Sequence, residues 1–222
     1  MTVSEWSTIA SLATALGTLV LAVATFSAVR SSNMMARVAQ EQFLTGLRPV
    51  LMPTRWEDPV LKVNFGDQKW VRVPGGGAAA EVGGGDGTMG PADDVVYLAV
   101  AVRNAGNGIA VLHGWHFYPE WRREQDHAPL EEFHLQARDL YIPAGDIGFW
   151  QGALRDVTEP GYPAARKAAE TREPWSVEIL YGDQEGGQRV ISRLNVLPRP
   201  GQDDGWVASI ARHWNIDRPD PR

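Results

Sequence analysis

The chain has no cysteine, which excludes disulfides, thiolate nucleophiles and zinc sites of the cysteine type. That absence agrees with a cytoplasmic domain. No Lys or Arg precedes Arg30, and no ionisable side chain stands between Glu5 and Arg30. A formal charge of −6 and the lack of a basic stripe argue against a nucleic-acid partner, because phosphate binding needs clustered cations. The pairs Arg122-Arg123 and Arg166-Lys167 read as solvated. The Gly-rich stretch 74–92 lacks the Gly-Lys-Ser/Thr ending of a phosphate loop and the strand-to-helix setting of a dinucleotide fingerprint, so it reads as a flexible insertion. Ser176, Ser192 and Ser209 lack a nucleophile-elbow setting.

What the first segment does have is apolar length. Ile9 to Val29 is apolar or small on every face, and at ~1.5 Å per residue it crosses a bilayer core of roughly 30 Å. Residues 1–29 are thus expected to be a short tail and a transmembrane helix. A cleaved signal peptide is the rival, since Ala22-Val23-Ala24 resembles a cleavage site, but the leading segment carries Glu5 and no cation. Arg30, Arg37 and Arg48 follow the span, which predicts a single-pass protein of the cell membrane with its amino terminus outside and the remainder cytoplasmic. Ser7, Ser11, Thr14 and Thr18 recur near helical spacing, and Ala13 with Gly17 forms a small-xxx-small pair that permits homo-oligomer formation through this helix.

Beyond the span, Ala36, Ala39, Phe43 and Leu47 share one helical face, so residues 30–47 are read as a helical stalk. From residue 48 to 216 the pattern changes to one β domain. Strands are expected at 49–56, 59–65, 69–73, 94–103, 109–118, 140–142, 146–150, 175–181 and 189–196. The stretch 94–103 is the strongest, with Val96, Leu98, Val100 and Val102 on one face. Its turn Asn104-Ala105-Gly106-Asn107-Gly108 offers residues that tolerate positive φ and predicts a hairpin with 109–118. Short helices are expected over 164–171 and at the end, where Val207, Ile210, Ala211 and Trp214 fall on one helical face. Residues 217–222 should fray.

These residues carry a resemblance. The run VRNAGNGIA, followed by IPAGD and another strand, resembles immunoglobulin-like β-sandwiches of bacterial surface and membrane-anchored proteins. With the single span, the LRP junction and the YGDQEG turn, the chain is similar to uncharacterised bacterial single-pass membrane-anchored proteins. The resemblance implies a mainly β fold: a transmembrane helix and stalk, then an immunoglobulin-like antiparallel β-sandwich with short helices. It implies no activity.

Candidate chemistry is sparse. His113 and His116 with Glu120 invite a metal, but residues i and i+3 on a strand point to opposite faces unless a bulge intervenes. No metal, cofactor or catalytic residue is assigned. Asp146, Asp183 and Glu185 sit in turn signals where carboxylates cap backbone amides. The aromatic residues Trp115, Phe117, Tyr118, Trp121, Phe149 and Trp150 either fill the core or form a surface for a protein partner. Two functions follow: a docking or scaffold module tethered to the lipid bilayer, or a tethered ligand sensor or enzyme using the 113–150 region.

Overall fold

The computed structural model describes residues 3–63, 65, 80–201 and 205–219; the strand expected at 69–73 lies outside them. The chain divides into two units, Met1–Thr45 and Gly46–Arg222.

The first unit is one helix, α1 (Val3–Gly46), continuous through the expected span and stalk. It is long and apolar enough to cross a membrane, and none of its most apolar window is buried. Its hydroxyls do not oppose a lipid setting: Ser11, Thr14 and Thr18 donate to the carbonyls of Ser7, Ala10 and Thr14 at 2.9, 2.9 and 2.8 Å. Each hydroxyl is therefore satisfied within the helix, as an apolar solvent requires.

The second unit is built of β1 (Leu51–Pro53), β2 (Leu61–Val63), β3 (Ala80–Val82), β4 (Asp86–Ala92), β5 (Val95–Asn104), β6 (Ala110–Tyr118), β7 (His134–Ile142), β8 (Ile147–Leu154), α2 (Tyr162–Thr171), β9 (Trp175–Gly182), β10 (Val190–Pro198) and β11 (Trp206–Asn215). β5 is central. One edge pairs with β8, while the other is shared end to end by β4 and β1. From β4 the antiparallel sheet continues through β11, β10, β9 and β6 to β7, and β2 pairs with β3 separately. The main sheet is one curled half-barrel, joined through the β4–β11 contact, rather than two separate layers.

β5 is buried on both faces. Val96, Leu98, Val100 and Val102 join the main core with Trp115, Trp150, Trp175 and the apolar residues of β9 and β10. Tyr97, Ala99 and Ala101 face a smaller cluster with Val63, Phe65 and Val82. The alternation places branched aliphatic residues on the larger core, and two alanines with one large ring, Tyr97, where β2 and β3 approach.

Several expectations are corrected. β5 and β6 do not pair, so the predicted hairpin is instead a connection between strands lying far apart in the sheet. Its glycines serve close approach rather than positive φ: a Cβ on Gly106 would lie 2.3 Å from the Arg48 carbonyl oxygen, and neither Gly106 nor Gly108 has a positive φ. The Gly-rich insertion expected at 74–92 is paired from Ala80 onward, as β3 and β4. The predicted terminal helix is β11. Its pairing with β10 jumps from Arg193↔Arg212 to Leu194↔Ile210, a bulge that leaves Ala211 extra and shifts the phase of alternation. Ala208 and Ile210 therefore pack on the main core while Trp214 stacks under Arg193. That phase shift mimics helical spacing. The α2 helix forms as expected, burying Tyr162, Ala165 and Ala168.

The long connection after β6 is strapped down by a buried ion pair. Arg193 of β10 and Glu178 of β9 have side chains 1% and 0% exposed, with Nη2 to Oε1 at 2.5 Å. The same guanidinium donates to the carbonyls of Glu124 (2.6 Å) and Asp126 (2.5 Å), while Glu178 Oε2 accepts the Ala128 amide at 2.9 Å. Replacing Glu178 by Ala leaves a buried cation uncompensated and should cost roughly 3–5 kcal/mol. Denaturant unfolding of Glu178→Ala against Glu185→Ala in the exposed turn checks this; equal stabilities would contradict it.

Candidate functional site

Among the described residues, β7 and β8 lie side by side without pairing and form a seam in the curled sheet. β7 pairs with β6 through Ile142, Tyr141 and Leu140, then only again at Leu135 and His134. Residues 136–139 thus bow away from β6, opposite the bulge at His113, and lean toward β8. Gln136 Nε2 donates to the Gln151 carbonyl at 2.9 Å, and Arg138 Nη2 to Gln151 Oε1 at 3.1 Å. Side chains, rather than a backbone ladder, bridge the seam.

Beneath the bowed segment is a cleft of about 490 Å³. Trp115 is stacked on His134 at 4.5 Å between ring centroids and meets Trp150 edge-on at 5.5 Å. His134 Nε2 is held 2.9 Å from Glu159 Oε1. Gly152 is required here, since a Cβ would lie 2.8 Å from the Trp150 ring and 3.0 Å from the Trp115 ring. Arg138 lies over Phe149 and Arg155 over Tyr97. The cleft thus has an aromatic floor, two guanidinium groups and no carboxylate among its described lining residues. Chemically, it can accept an anionic or carbonyl-rich group against a flat apolar base.

The predicted aromatic surface divides. Trp115, Phe117 and Trp150 are core residues, which corrects the partner-surface reading for those three, although Trp115 also lines the cleft. Phe149 packs on the smaller cluster. Tyr118 is half-buried over the ion pair, and Trp121 is 44% exposed beneath Arg123. Burial and the adjacent Glu178 carboxylate push the Tyr118 phenol up to about 12.

His113 and His116 are not brought together. Despite the bulge, His113 lies beside Gly182 while His116 Nδ1 meets the Glu132 carbonyl at 3.1 Å. Among the described residues no group of three His, Asp or Glu is placed to hold a metal. Ser192 Oγ lies 2.6 Å from His213 Nδ1, but Ser192 is fully buried and also bonded to Tyr181, so this contact offers no access to a substrate. Asp183 caps the amides of Glu185 and Gly187, as its turn signal implied.

Sequence reasoning missed Gln136, Arg138, Gln151 and Arg155. The signal was the alternation of His134, Gln136 and Arg138 with Leu135, Ala137 and Asp139, inside a stretch read as connection. Leu135 is 85% exposed, which weakened the apolar pattern of that strand.

No protein-family model matches the chain, and no curated protein matches it. Among solved structures it is similar to a β-glucosidase from Kluyveromyces marxianus in complex with glucose, at 16% identity and TM-score 0.21, over 59% of this chain and 13% of the glucosidase. It is also similar to a Bordetella pertussis structure described as ApaA, at 8% identity and TM-score 0.21, over 75% of this chain and 98% of the other. Likeness at this level carries no argument about function.

His113 is held below its ordinary 6.5, first by burial and then by Arg189, with Asp139 opposing. The folded state therefore prefers the neutral ring, and this contribution is lost as pH falls from the ordinary value through the depressed one. Imidazole NMR should show His113 titrating below 6.5 and rising in Arg189→Gln. An unchanged midpoint in that variant would contradict the electrostatic assignment.

Proposed function

We propose that this chain is a single-pass, membrane-anchored interaction protein that presents its β domain in the cytoplasm to a protein partner. The supporting observation is α1, which is apolar, 44 residues long and has none of its most apolar window buried. An apolar surface of this length needs a covering, which a bilayer core supplies. The Lys/Arg asymmetry around the span supports an external amino terminus. The immunoglobulin-like reading of the domain draws on its antiparallel, mainly β build and on the turn motifs of the sequence. The tethered sensor or enzyme remains the alternative reading. It draws on the same seam, since a cleft of this volume is of ligand-binding size.

Crosslinking in native membranes, followed by purification of the full chain, tests the docking reading. A second protein, captured reproducibly and absent from a control carrying α1 alone, is expected. Capture of nothing beyond the chain itself would contradict it.

The same experiment tests self-association. The face of Ser7, Ser11, Ala13, Thr14, Gly17 and Thr18 allows two helices to approach closely, because nothing lies within 4 Å of a Cβ placed on Gly17 and the hydroxyls are satisfied internally. Gly17→Leu should abolish most of the crosslinked dimer, forfeiting packing worth on the order of 1 kcal/mol. Identical monomer migration of wild type and variant would contradict a helix-mediated dimer.

A further inference from the structure

A second cleft, of about 630 Å³, opens where β5 ends. Three stretches of chain line it: Met52 to Arg55 at β1, the turn at Gly106 and Asn107 after β5, and the turn at Gly145 between β7 and β8. Asn104 ties these walls together. Its Oδ1 accepts the amides of Val50 and Gly106 at 3.1 and 3.0 Å, its Nδ2 donates to the Ile142 carbonyl at 3.0 Å, and its backbone carbonyl accepts the Gly145 amide at 2.9 Å. The cleft is therefore held in shape before anything enters it, and a preformed site loses less freedom on binding. Arg103 is the only charged residue of β5 and is partly buried between its cross-strand neighbours Met52 and Ile147. Its Nε is enclosed without a hydrogen-bond partner, and its guanidinium makes no ion pair among the described residues. Arg55, exposed on the rim, likewise has no side-chain partner among them. Asp58 and Asp146, which flank the cleft in sequence, each cap a backbone amide, of Arg55 and Ile147, at 2.7 and 2.8 Å. No carboxylate lines the cleft among the described residues, in a chain whose formal charge is −6. A cation that has given up part of its hydration without gaining a counter-charge is a cost that an incoming anion offsets.

We propose that this cleft binds a small phosphate monoester through the outer guanidinium nitrogens of Arg55 and Arg103. Such a group carries a charge of about −1.5 to −2 at pH 7, which matches two cations. Arg103 reaches it from β5 and Arg55 from the segment after β1. Donors arriving from two walls suit a tetrahedral group with oxygens on several sides, whereas a single guanidinium fork already satisfies a planar carboxylate. The organic part of the ester lies against Met52, which is 37% exposed, and Pro53. The cleft volume lies in the range of sites that enclose a compact ligand. Soluble metabolites and lipid headgroups both carry this chemistry. The site needs no protein partner and does not rest on the docking reading.

Isothermal titration calorimetry of the full chain in nanodiscs of uncharged lipid, with phenyl phosphate as the probe, tests this. Saturable binding at one site per chain is expected, with benzoate at least fivefold weaker and phenol not bound. Arg55→Gln and Arg103→Gln should each weaken phenyl phosphate by fivefold or more, with unfolding midpoints matching wild type, while Arg37→Gln on α1 leaves it unchanged. Nanodiscs containing phosphatidic acid, compared with discs of equal charge made with the diester phosphatidylglycerol, separate the two sources. Loss of phenyl phosphate binding only with phosphatidic acid assigns the cleft to a lipid headgroup, and equal binding in both assigns it to a soluble monoester; either supports the phosphate assignment. Absent binding of phenyl phosphate, benzoate binding as tightly, or an Arg55→Gln variant with wild-type affinity would overturn the proposal. The comparison of probes on the wild-type chain decides the matter even if Arg103→Gln fails to fold, and its failure leaves the docking reading untouched.

Discussion

Burial of β5 on both faces is the constraint from which the rest of the domain follows. A strand with solvent on neither side must be covered twice, and the chain does so with unequal partners. The main core takes Val96, Leu98, Val100 and Val102, and the small sheet of β2 and β3 covers Tyr97, Ala99 and Ala101. β5 also sends the chain in different directions at its end. Asn104 there donates to the carbonyls of Gly108 and Ile142 and accepts the amides of Val50 and Gly106. One side chain thereby joins the start of β1, the turn after β5 and the end of β7. All four of its hydrogen-bonding positions are used, as a buried amide requires.

Away from β5, polar groups set the geometry. The pair of Arg193 and Glu178 is enclosed by Trp214, Tyr118 and the connection after β6. A buried pair of this kind adds little net stability against an apolar alternative, but every donor and acceptor must be met, so it fixes where that connection lies. The connection in turn leads into β7 at His134, and the bowing of β7 opens the seam toward β8. The seam is therefore a consequence of how the loop and bulges place β7.

Legibility from sequence followed the strength of local periodicity. α1, β5 and β9 could be read because each carries an unbroken pattern: no charge in the span, alternating Val and Leu in β5, and Trp175, Val177, Ile179 and Tyr181 at every second position of β9. β11 was misread because the extra Ala211 shifts a two-residue period into apparent spacings of three and four. β4 was hidden because Gly87, Gly90 and Pro91 belong to no strand pattern, yet they pair with β5 through backbone hydrogen bonds that need no side chain. The hairpin at Asn104 failed for another reason: its turn residues were right for a sharp connection, but pairing is decided by which edges of β5 are already taken. The cleft was illegible because it is made by residues missing from a register, and register is a property of two strands.

The central claim is that α1 spans the bilayer and holds the domain on the cytoplasmic side. The absence of native cysteine makes single-cysteine labelling a direct test. With a membrane-impermeant maleimide on intact cells, Thr2→Cys should label and Glu185→Cys should label only after permeabilisation. Labelling of Glu185→Cys in intact cells, or loss of residue 2 from the mature chain through cleavage, would contradict the claim.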